Sequence, residues 1–330
     1  MTDTPHPAPT ETAAEPRLAH FHVTFFATVM GLAGLTLALH RAEGAMGTGH
    51  VASGAALAVT VLAFAAIALV YALKARAHPQ AVAAEWHHPV KLAFFPAISI
   101  SLLLIGTAAR PVAPEAARLV WLLGVAAQGA LTLAVISGWI GRRPFQPMHV
   151  SPAWFIPAVG NVVVPVAGVS FGFVELNWLF FSTGLIFWLV LLTLVMNRLI
   201  FHDPLPARLL PTLVILIAPP AVSFLAWLQL NGGVLDPFAR LLYYAALGFA
   251  AIVAVQAAGF AKLPFALSWW ALSFPVAALT LASFAYAALA WSGAHLALAW
   301  GLSALLLGIV GALVARTALA ILRDEICKPE

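Results

Sequence analysis

The chain has 330 residues, of which 63% are hydrophobic and only 8% are charged, and its formal net charge is +4. A soluble domain carries about 25% charged residues, so this composition excludes a water-soluble globular protein and indicates a protein that lies mainly in lipid. The single cysteine, Cys327, excludes an internal disulfide framework and a cysteine-based metal site.

The first 17 residues are rich in proline, threonine and acidic residues, and we predict a disordered cytoplasmic tail there. A cleaved signal peptide over residues 21–39 is an alternative, which the length of that apolar run disfavours. Ten apolar runs long enough to cross a bilayer follow, at residues 21–40, 51–73, 90–108, 115–140, 152–172, 176–200, 208–230, 238–259, 265–290 and 295–322. The sequence therefore predicts an all-α integral membrane domain over residues 18–322 and a cytoplasmic tail over residues 323–330.

The basic residues are spread unevenly over the ends of these ten segments. Most would lie on the side that carries both termini: Arg17, Lys74, Arg76, Lys91, Arg142, Arg143, Arg198, Arg208, Lys262, Arg316, Arg323 and Lys328. The other side has Arg41, Arg110, Arg118 and Arg240. Because cytoplasmic loops of membrane proteins collect lysine and arginine, we predict that both termini face the cytoplasm.

Prolines occur inside alternate segments. They lie in the third, fifth, seventh and ninth segments, as Pro96, Pro157, Pro165, Pro219, Pro220 and Pro275. The first segment carries Gly31 and Gly34 instead. Proline kinks or breaks a helix, and lipid tolerates a freed carbonyl only where protein or water satisfies it. The pattern predicts five helical hairpins, with the odd helices in an inner pore ring and the even helices in an outer ring. The alternative is that proline clusters there by chance.

The predicted membrane interior has no carboxylate, since every acidic residue falls in a loop, in a tail or at a segment end. Carboxylates are the usual parts of proton relays and cation paths, so their absence disfavours both. An anion path can use backbone dipoles, helix N-termini and hydroxyl groups instead. The candidates for such a lining are Asn161, Ser99, Ser101, Ser223, Ser273 and Thr280, each of which can equally bond its own helix backbone.

Enzyme, haem and metal sites find little support in the sequence. Most of the 11 histidines lie in tails, in loops or at helix ends, and no HExxH motif or glycine-rich phosphate loop is present. We therefore predict no catalytic residue, no metal ligand, no cofactor and no nucleic-acid partner. A membrane-embedded enzyme or haem protein stays as a distant alternative.

Phe274, in the ninth segment, has an unusual surrounding. Three of the four residues one helical turn away are alanine, and Pro275 follows at once. A bulky ring at a kink of an inner helix can occlude a narrow pore. The local sequence alone favours a simpler interpretation, in which the ring fills a gap between small residues of the core.

Five motifs resemble the tellurite-resistance/dicarboxylate transporter family, which includes the bacterial TehA proteins and the plant slow-type anion channels. They occur in order and with compatible spacing, at residues 30–35 (MGLAGL), 84–95 (AEWHHPVKLAFF), 154–161 (WFIPAVGN), 218–222 (APPAV) and 268–275 (SWWALSFP). The resemblance extends over residues 18 to 322. One departure is Val29, where relatives often have a proline, so we expect a straighter first helix.

The resemblance implies a homotrimer in a bacterial-type inner membrane, with a five-helix pore in each protomer. It also implies a phenylalanine on the ninth helix that plugs the pore, which falls on Phe274, and a second aromatic that matches Phe94 or Phe95. The expected function is passive conduction of small monovalent anions such as chloride and nitrate, with anions and membrane lipids as the partners. The alternative is proton-coupled export of C4-dicarboxylates, sulfite or tellurite-related anions.

Overall fold

The structure is a computed structural model that describes residues 17–141, 145–260, 263 and 265–327, without the side chain of residue 258. Every regular element in those ranges is a helix, so the all-α prediction is confirmed. The predicted tail before residue 17 lies outside the described residues, and so does the end of the C-terminal tail. The basic residues that lie outside them are Arg142, Arg143, Lys262 and Lys328.

The described residues contain ten helices that are long and apolar enough to cross a membrane, and we number them as spans 1 to 10. In chain order they are Val23–Met46, Val51–Ala77, Lys91–Ala109, Pro114–Ile140, Pro152–Phe171, Val174–Phe201, Ala207–Leu230, Pro237–Ala257, Leu267–Ala290 and Gly293–Leu322. Hydropathy therefore predicted every span, and most of the ends lie within a few residues of the predicted ones.

Span 1 extends further than predicted. It continues to Met46 and ends where Gly47 adopts the left-handed φ of 68° that glycine tolerates. Glu43, predicted in a loop, therefore lies in the last turn of span 1. Its carboxylate accepts hydrogen bonds from the backbone N–H groups of Ala52 (2.7 Å) and Ser53 (3.2 Å). It thus satisfies the donors that the N-terminus of span 2 leaves open.

A short helix that the sequence analysis did not predict, Pro79–His87, joins spans 2 and 3. Pro79 occupies its first turn, where the missing N–H costs nothing because no intrahelical partner exists there. We call this element the connecting helix.

The odd and even spans differ in helix type. Each odd span begins with a 3₁₀ segment, at Val23–Phe25, Lys91–Phe94, Pro152–Trp154, Ala207–Ile217 and Leu267–Leu272. An α-helical part follows each one, at Phe26–Met46, Ala97–Ala109, Phe155–Gly168, Ala218–Leu230 and Ser273–Ala290. The even spans are continuous α-helices, at Val51–Ala77, Pro114–Ile140, Val174–Phe201, Pro237–Phe260 and Gly293–Leu322.

The prolines explain where the helix type changes. Pro96 is the N-cap residue of its α-helical part, and Pro157, Pro219 and Pro275 lie in the first turns of theirs. A first-turn N–H has no intrahelical partner, so proline fits there and favours the start of a new helix. The predicted breaks therefore occur, but as a change from 3₁₀ to α geometry. Pro165 is different, because it lies inside an α-helix.

Span 1 has no such break within its α-helical part, which passes straight through both of its inner glycines. A Cβ atom on Gly31 would lie 2.2 Å from the Ser273 Oγ atom, and one on Gly34 would lie 2.7 Å from the Ala277 Cβ atom. These glycines therefore allow spans 1 and 9 to approach closely, as small residues do between membrane helices.

Burial separates the same two sets of spans. In the most apolar window of each odd span, 61–78% of the residues are buried, against 11–33% in the even spans. Spans 1 and 2, 3 and 4, 5 and 6, 7 and 8, and 9 and 10 are in contact. The odd spans also contact one another in a closed cycle, from span 1 through 3, 5, 7 and 9 and back to span 1. The odd spans thus form the core, and the even spans expose the apolar side chains that suit lipid.

Candidate functional site

A small cavity lies where all five odd spans meet, and we call it the constriction. Its volume is about 30 Å³, and each odd span contributes to its lining, which includes Met30, Phe94, Ile156, Ile215 and Phe274. Every side chain that lines it is apolar. Such a volume corresponds to roughly one water molecule. In this conformation the constriction is therefore too small for a hydrated ion.

Phe274 owes its position to small neighbours. The residue is only 7% exposed and lies in the first turn of the α-helical part of span 9. Its ring lies next to span 1 at Gly34, where an added Cβ atom would come within 3.7 Å of the ring. Because span 1 carries no side chain at that point, the ring occupies the space between the two spans and borders the constriction.

The structure separates the two aromatic candidates of span 3. Phe94 lines the constriction together with Phe274. Phe95 instead contacts Trp86 of the connecting helix, with the ring centroids 4.9 Å apart and the planes at 87°. Consecutive residues of a helical turn point in different directions, so only one of the two rings can face the cavity.

None of the predicted polar side chains lines the constriction. Asn161 donates hydrogen bonds to the Pro157 carbonyl (2.8 Å) and to Thr132 Oγ1 of span 4 (3.1 Å). The Ser273 hydroxyl donates to the Trp270 carbonyl at 2.6 Å.

The hydroxyls of Ser99, Ser101 and Thr280 likewise bond carbonyls of their own helices. The Ser223 hydroxyl is buried and has no hydrogen-bond partner among the described residues. Most of these groups therefore satisfy their own helix backbones, which was the alternative that the sequence left open.

The first turns of four helices surround the constriction. Ala97, Ile156, Ala218 and Phe274 line it, and each is the first or second residue of the α-helical part of its span. The N-terminus of an α-helix carries a partial positive charge because its peptide dipoles are aligned. Here, however, the N–H groups at two of these starts donate to the preceding 3₁₀ segments, that of Ala218 to the Ile215 carbonyl and that of Ser273 to the Trp270 carbonyl, so the constriction offers no row of open N–H donors.

Sequence reasoning missed a second cavity on the same axis. This distal cavity lies at the end of the bundle where the odd spans finish, and its volume is about 320 Å³. All five odd spans and span 2 contribute to its lining, which includes Arg41 and Arg110. The sequence analysis assigned both arginines to the side with few basic residues. Their position at the ends of odd spans was the signal that could have indicated a shared basic cavity.

Sequence reasoning also missed a buried ion pair at the opposite end, beside the connecting helix. Lys74 Nζ lies 2.9 Å from Glu85 Oε1 and donates to the Phe21 carbonyl at 2.8 Å. Tyr71 Oη donates to Glu85 Oε2 at 2.8 Å, and His22 Nδ1 lies 3.3 Å from Glu85 Oε1. Burial opposes ionisation of Glu85, but the hydrogen bonds from these three side chains outweigh it and lower the pKa of its carboxyl group.

The described part of the chain contains no group of three or more histidine, cysteine, aspartate or glutamate side chains that could hold a metal ion. The features of the site are thus an apolar constriction, a basic distal cavity on the same axis and an off-axis ion pair.

Residues 20–318 match the family described as voltage-dependent anion channels. The chain is 30% identical over 232 residues to the S-type anion channel SLAH3 of Arabidopsis thaliana, which covers 69% of this chain and 36% of that protein. It is 28% identical over 280 residues to SLAH2 of the same plant, which covers 82% and 53% of the two chains. The chain thus spans only about a third to a half of the length of these plant relatives.

A bacterial protein is also similar to this chain. The tellurite resistance protein TehA homolog of Haemophilus influenzae is 28% identical over 221 residues, which cover 66% of this chain and 67% of that protein. These matches confirm the resemblance that the motifs indicate, and they relate the chain to channels and transporters rather than to enzymes. Since the match extends over most of its length, this multi-pass membrane protein belongs to the voltage-dependent anion channel family.

Proposed function

We propose that this protein conducts small monovalent anions, such as chloride and nitrate, passively through a pore inside each protomer, and that Phe274 is the gate. The observation that carries this proposal is the convergence of all five odd spans on a constriction bordered by Phe274 and Phe94. A cavity of about 30 Å³ corresponds to the closed state of such a pore. Movement of the Phe274 ring would widen it without any change in the backbone.

The surroundings of the constriction support anions over cations. The described residues that line it include no carboxylate, and the first turns of four α-helices border it. A lining without a fixed charge does not repel an anion as a carboxylate would, and it does not hold the anion as tightly as a lysine or arginine would. Since an apolar wall returns little of the hydration energy that an ion loses, weakly hydrated nitrate should pass more easily than chloride.

The test is the anion current of Phe274→Ala in oocytes or planar bilayers. We expect currents at least about tenfold above those of the wild type, because the side chain that fills the constriction is gone. The matched control is Phe95→Ala, which removes an aromatic ring from the same region but not from the constriction, and should leave the current unchanged. Equal currents for Phe274→Ala and the wild type, at equal surface amounts, would rule out the gate.

Proton-coupled export is the second candidate, and the tellurite-resistance name of one relative keeps it open. An exporter would drive anion uptake into proteoliposomes when a pH gradient is imposed and the membrane potential is clamped. A passive channel would not respond to that gradient. Uptake that depends on the pH gradient would therefore replace the channel proposal with the exporter.

The arrangement in the cell is also part of the proposal. We infer that the channel domain of residues 18–322 forms a homotrimer in a bacterial-type inner membrane, with lipid around the even spans and both termini in the cytoplasm. The exposed apolar side chains of the even spans support contact with lipid or with further protomers. Cross-linking in native membranes tests the trimer, and reporter fusions at the two termini test the orientation.

A further inference from the structure

The distal cavity and the constriction belong to one axis. All five odd spans contribute residues to both. Met30 at the constriction and Arg41 at the distal cavity are both in span 1, and 11 residues of α-helix separate them by roughly 16 Å along the axis. An anion that enters from the distal end would therefore reach this cavity before it reaches Phe274.

Two arginines give this cavity its charge. Arg41 lies in the last two turns of span 1, and Arg110 directly follows span 3. These two neighbouring spans bring both side chains to the same cavity. Neither guanidinium has a hydrogen bond or an ion pair with any residue that the structure describes. Two like charges that share a cavity repel each other, and an anion between them removes that repulsion.

The nearest acidic side chain on span 1 does not neutralise them. Glu43 is two residues beyond Arg41, but its carboxylate is directed to the start of span 2, where it accepts the N–H groups of Ala52 and Ser53. The Glu43 carboxylate also has His50 beside it, with His50 Nδ1 3.6 Å from Glu43 Oε2. Within the described part of the chain, no carboxylate lines the distal cavity.

The donors in the cavity suit a small inorganic anion. A guanidinium group offers a planar fork of N–H donors that matches two oxygens of an oxyanion. The Gln229 side chain, from the end of span 7, adds an amide to the same lining. A volume of about 320 Å³ also leaves room for water around a small ion.

We propose that the distal cavity is an anion-binding vestibule in which Arg41 and Arg110 hold a small inorganic anion, with nitrate preferred over chloride. Its role as the entrance to the pore rests on the proposed function, whereas binding of the anion does not. The two arginines raise the anion concentration in the distal cavity, from which the anion reaches the constriction. Salt screens this effect because the cavity is open to water.

The binding test uses purified full-length protein in a neutral detergent, with gluconate as the background anion. Chloride binding is followed by the line width of the ³⁵Cl nuclear magnetic resonance signal, and nitrate is added as a competitor. We expect saturable broadening in the wild type and at least about a tenfold weaker affinity in the Arg41→Gln, Arg110→Gln double variant. The matched control is Arg118→Gln, since the Arg118 guanidinium lies 5.3 Å from the Phe173 ring centroid and does not line the cavity.

A second pair of substitutions keeps the test decisive if the double variant does not fold. Arg41→Lys with Arg110→Lys preserves both charges but removes both forks. We expect this variant to bind chloride nearly as well as the wild type and to lose its preference for nitrate. Wild-type affinity in the folded glutamine variant, or unchanged nitrate preference in the lysine variant, would overturn the proposal.

The experiment separates this proposal from the proposed function. Loss of chloride binding in the arginine variants supports the vestibule even if Phe274→Ala carries no current. Conversely, Phe274→Ala could carry large currents that the arginine substitutions do not change at low external chloride. That result would support the gate and contradict the role of the vestibule as the entrance.

Discussion

The constriction and the distal cavity are built from the same five spans, yet they have opposite properties. The constriction is about 30 Å³ in volume and is lined by apolar side chains, whereas the distal cavity is about 320 Å³ and contains two arginines. A fixed cation in a narrow, dry passage would bind an anion too tightly for release and would lose its hydration. In a wide cavity that is open to water, the same positive charge attracts the anion and still allows its release. Attraction and closure can therefore lie at different levels of one axis.

The largest effect should come from removal of both rings at the constriction. Phe274→Ala combined with Phe94→Ala should give currents several-fold above those of Phe274→Ala alone, because both rings border the same cavity. Its nitrate-to-chloride permeability ratio should also fall, since a wider passage lets each ion keep more of its water. Current amplitudes and reversal potentials in mixed solutions measure both effects.

The control for this pair is Phe274→Ala combined with Phe95→Ala. Phe95 contacts Trp86 of the connecting helix, so this combination should behave as Phe274→Ala does. Equal currents for the two double variants would mean that Phe94 does not contribute to closure, and the constriction would then depend on span 9 alone.

The next effect concerns the contact of spans 1 and 9 beside the constriction. A Cβ atom on Gly31 would lie 2.2 Å from Ser273 Oγ and 3.0 Å from the Trp270 ring, and the serine hydroxyl is held by the Trp270 carbonyl. Gly31→Val should therefore lower the free energy of unfolding by about 3 kcal/mol, since overpacking forces helices apart or side chains off their rotamers. Thermal unfolding in detergent micelles measures it.

Gly308→Val on span 10 is the matched control for this substitution. An added Cβ atom there meets no atom within 4 Å, so the change should leave the unfolding midpoint almost unaltered. If both valine variants unfold at the same temperature as the wild type, spans 1 and 9 do not depend on this close approach.

The sequence predicted the spans well because each is a continuous apolar run, and it predicted the odd–even difference because proline marks the odd spans. It could not separate Phe94 from Phe95, since that choice depends on the phase of a 3₁₀ segment. Phe274 was favoured by resemblance, whereas its local sequence favoured core packing. Arg41 and Arg110 share a cavity only because spans 1 and 3 pack against each other. The distance between the two residues in the sequence does not predict that packing.

The smallest effect should come from the ion pair that lies off the axis, beside the connecting helix. Glu85→Gln leaves Lys74 buried without a carboxylate, and it should cost about 2 kcal/mol of stability at neutral pH, because the amide keeps part of the hydrogen bonding. The added substitution Lys74→Met should recover part of that loss, since it removes the uncompensated charge.

Because the pKa of Glu85 is lowered in the folded state, its contribution is fully present above the pKa of an unfolded glutamate, about 4.3, and is lost as the pH falls through the folded value. The wild type should therefore lose stability over a wider range of acidic pH than Glu85→Gln does, as measured by unfolding midpoints from neutral pH downward. Anion selectivity should be the same in both proteins, since Glu85 lies outside the linings of the constriction and the distal cavity. A change in the nitrate-to-chloride ratio in this variant would show that the charge of this off-axis cluster acts on the ion path. Selectivity would then depend on three places in the protein: the distal cavity, the constriction and the cluster around Glu85.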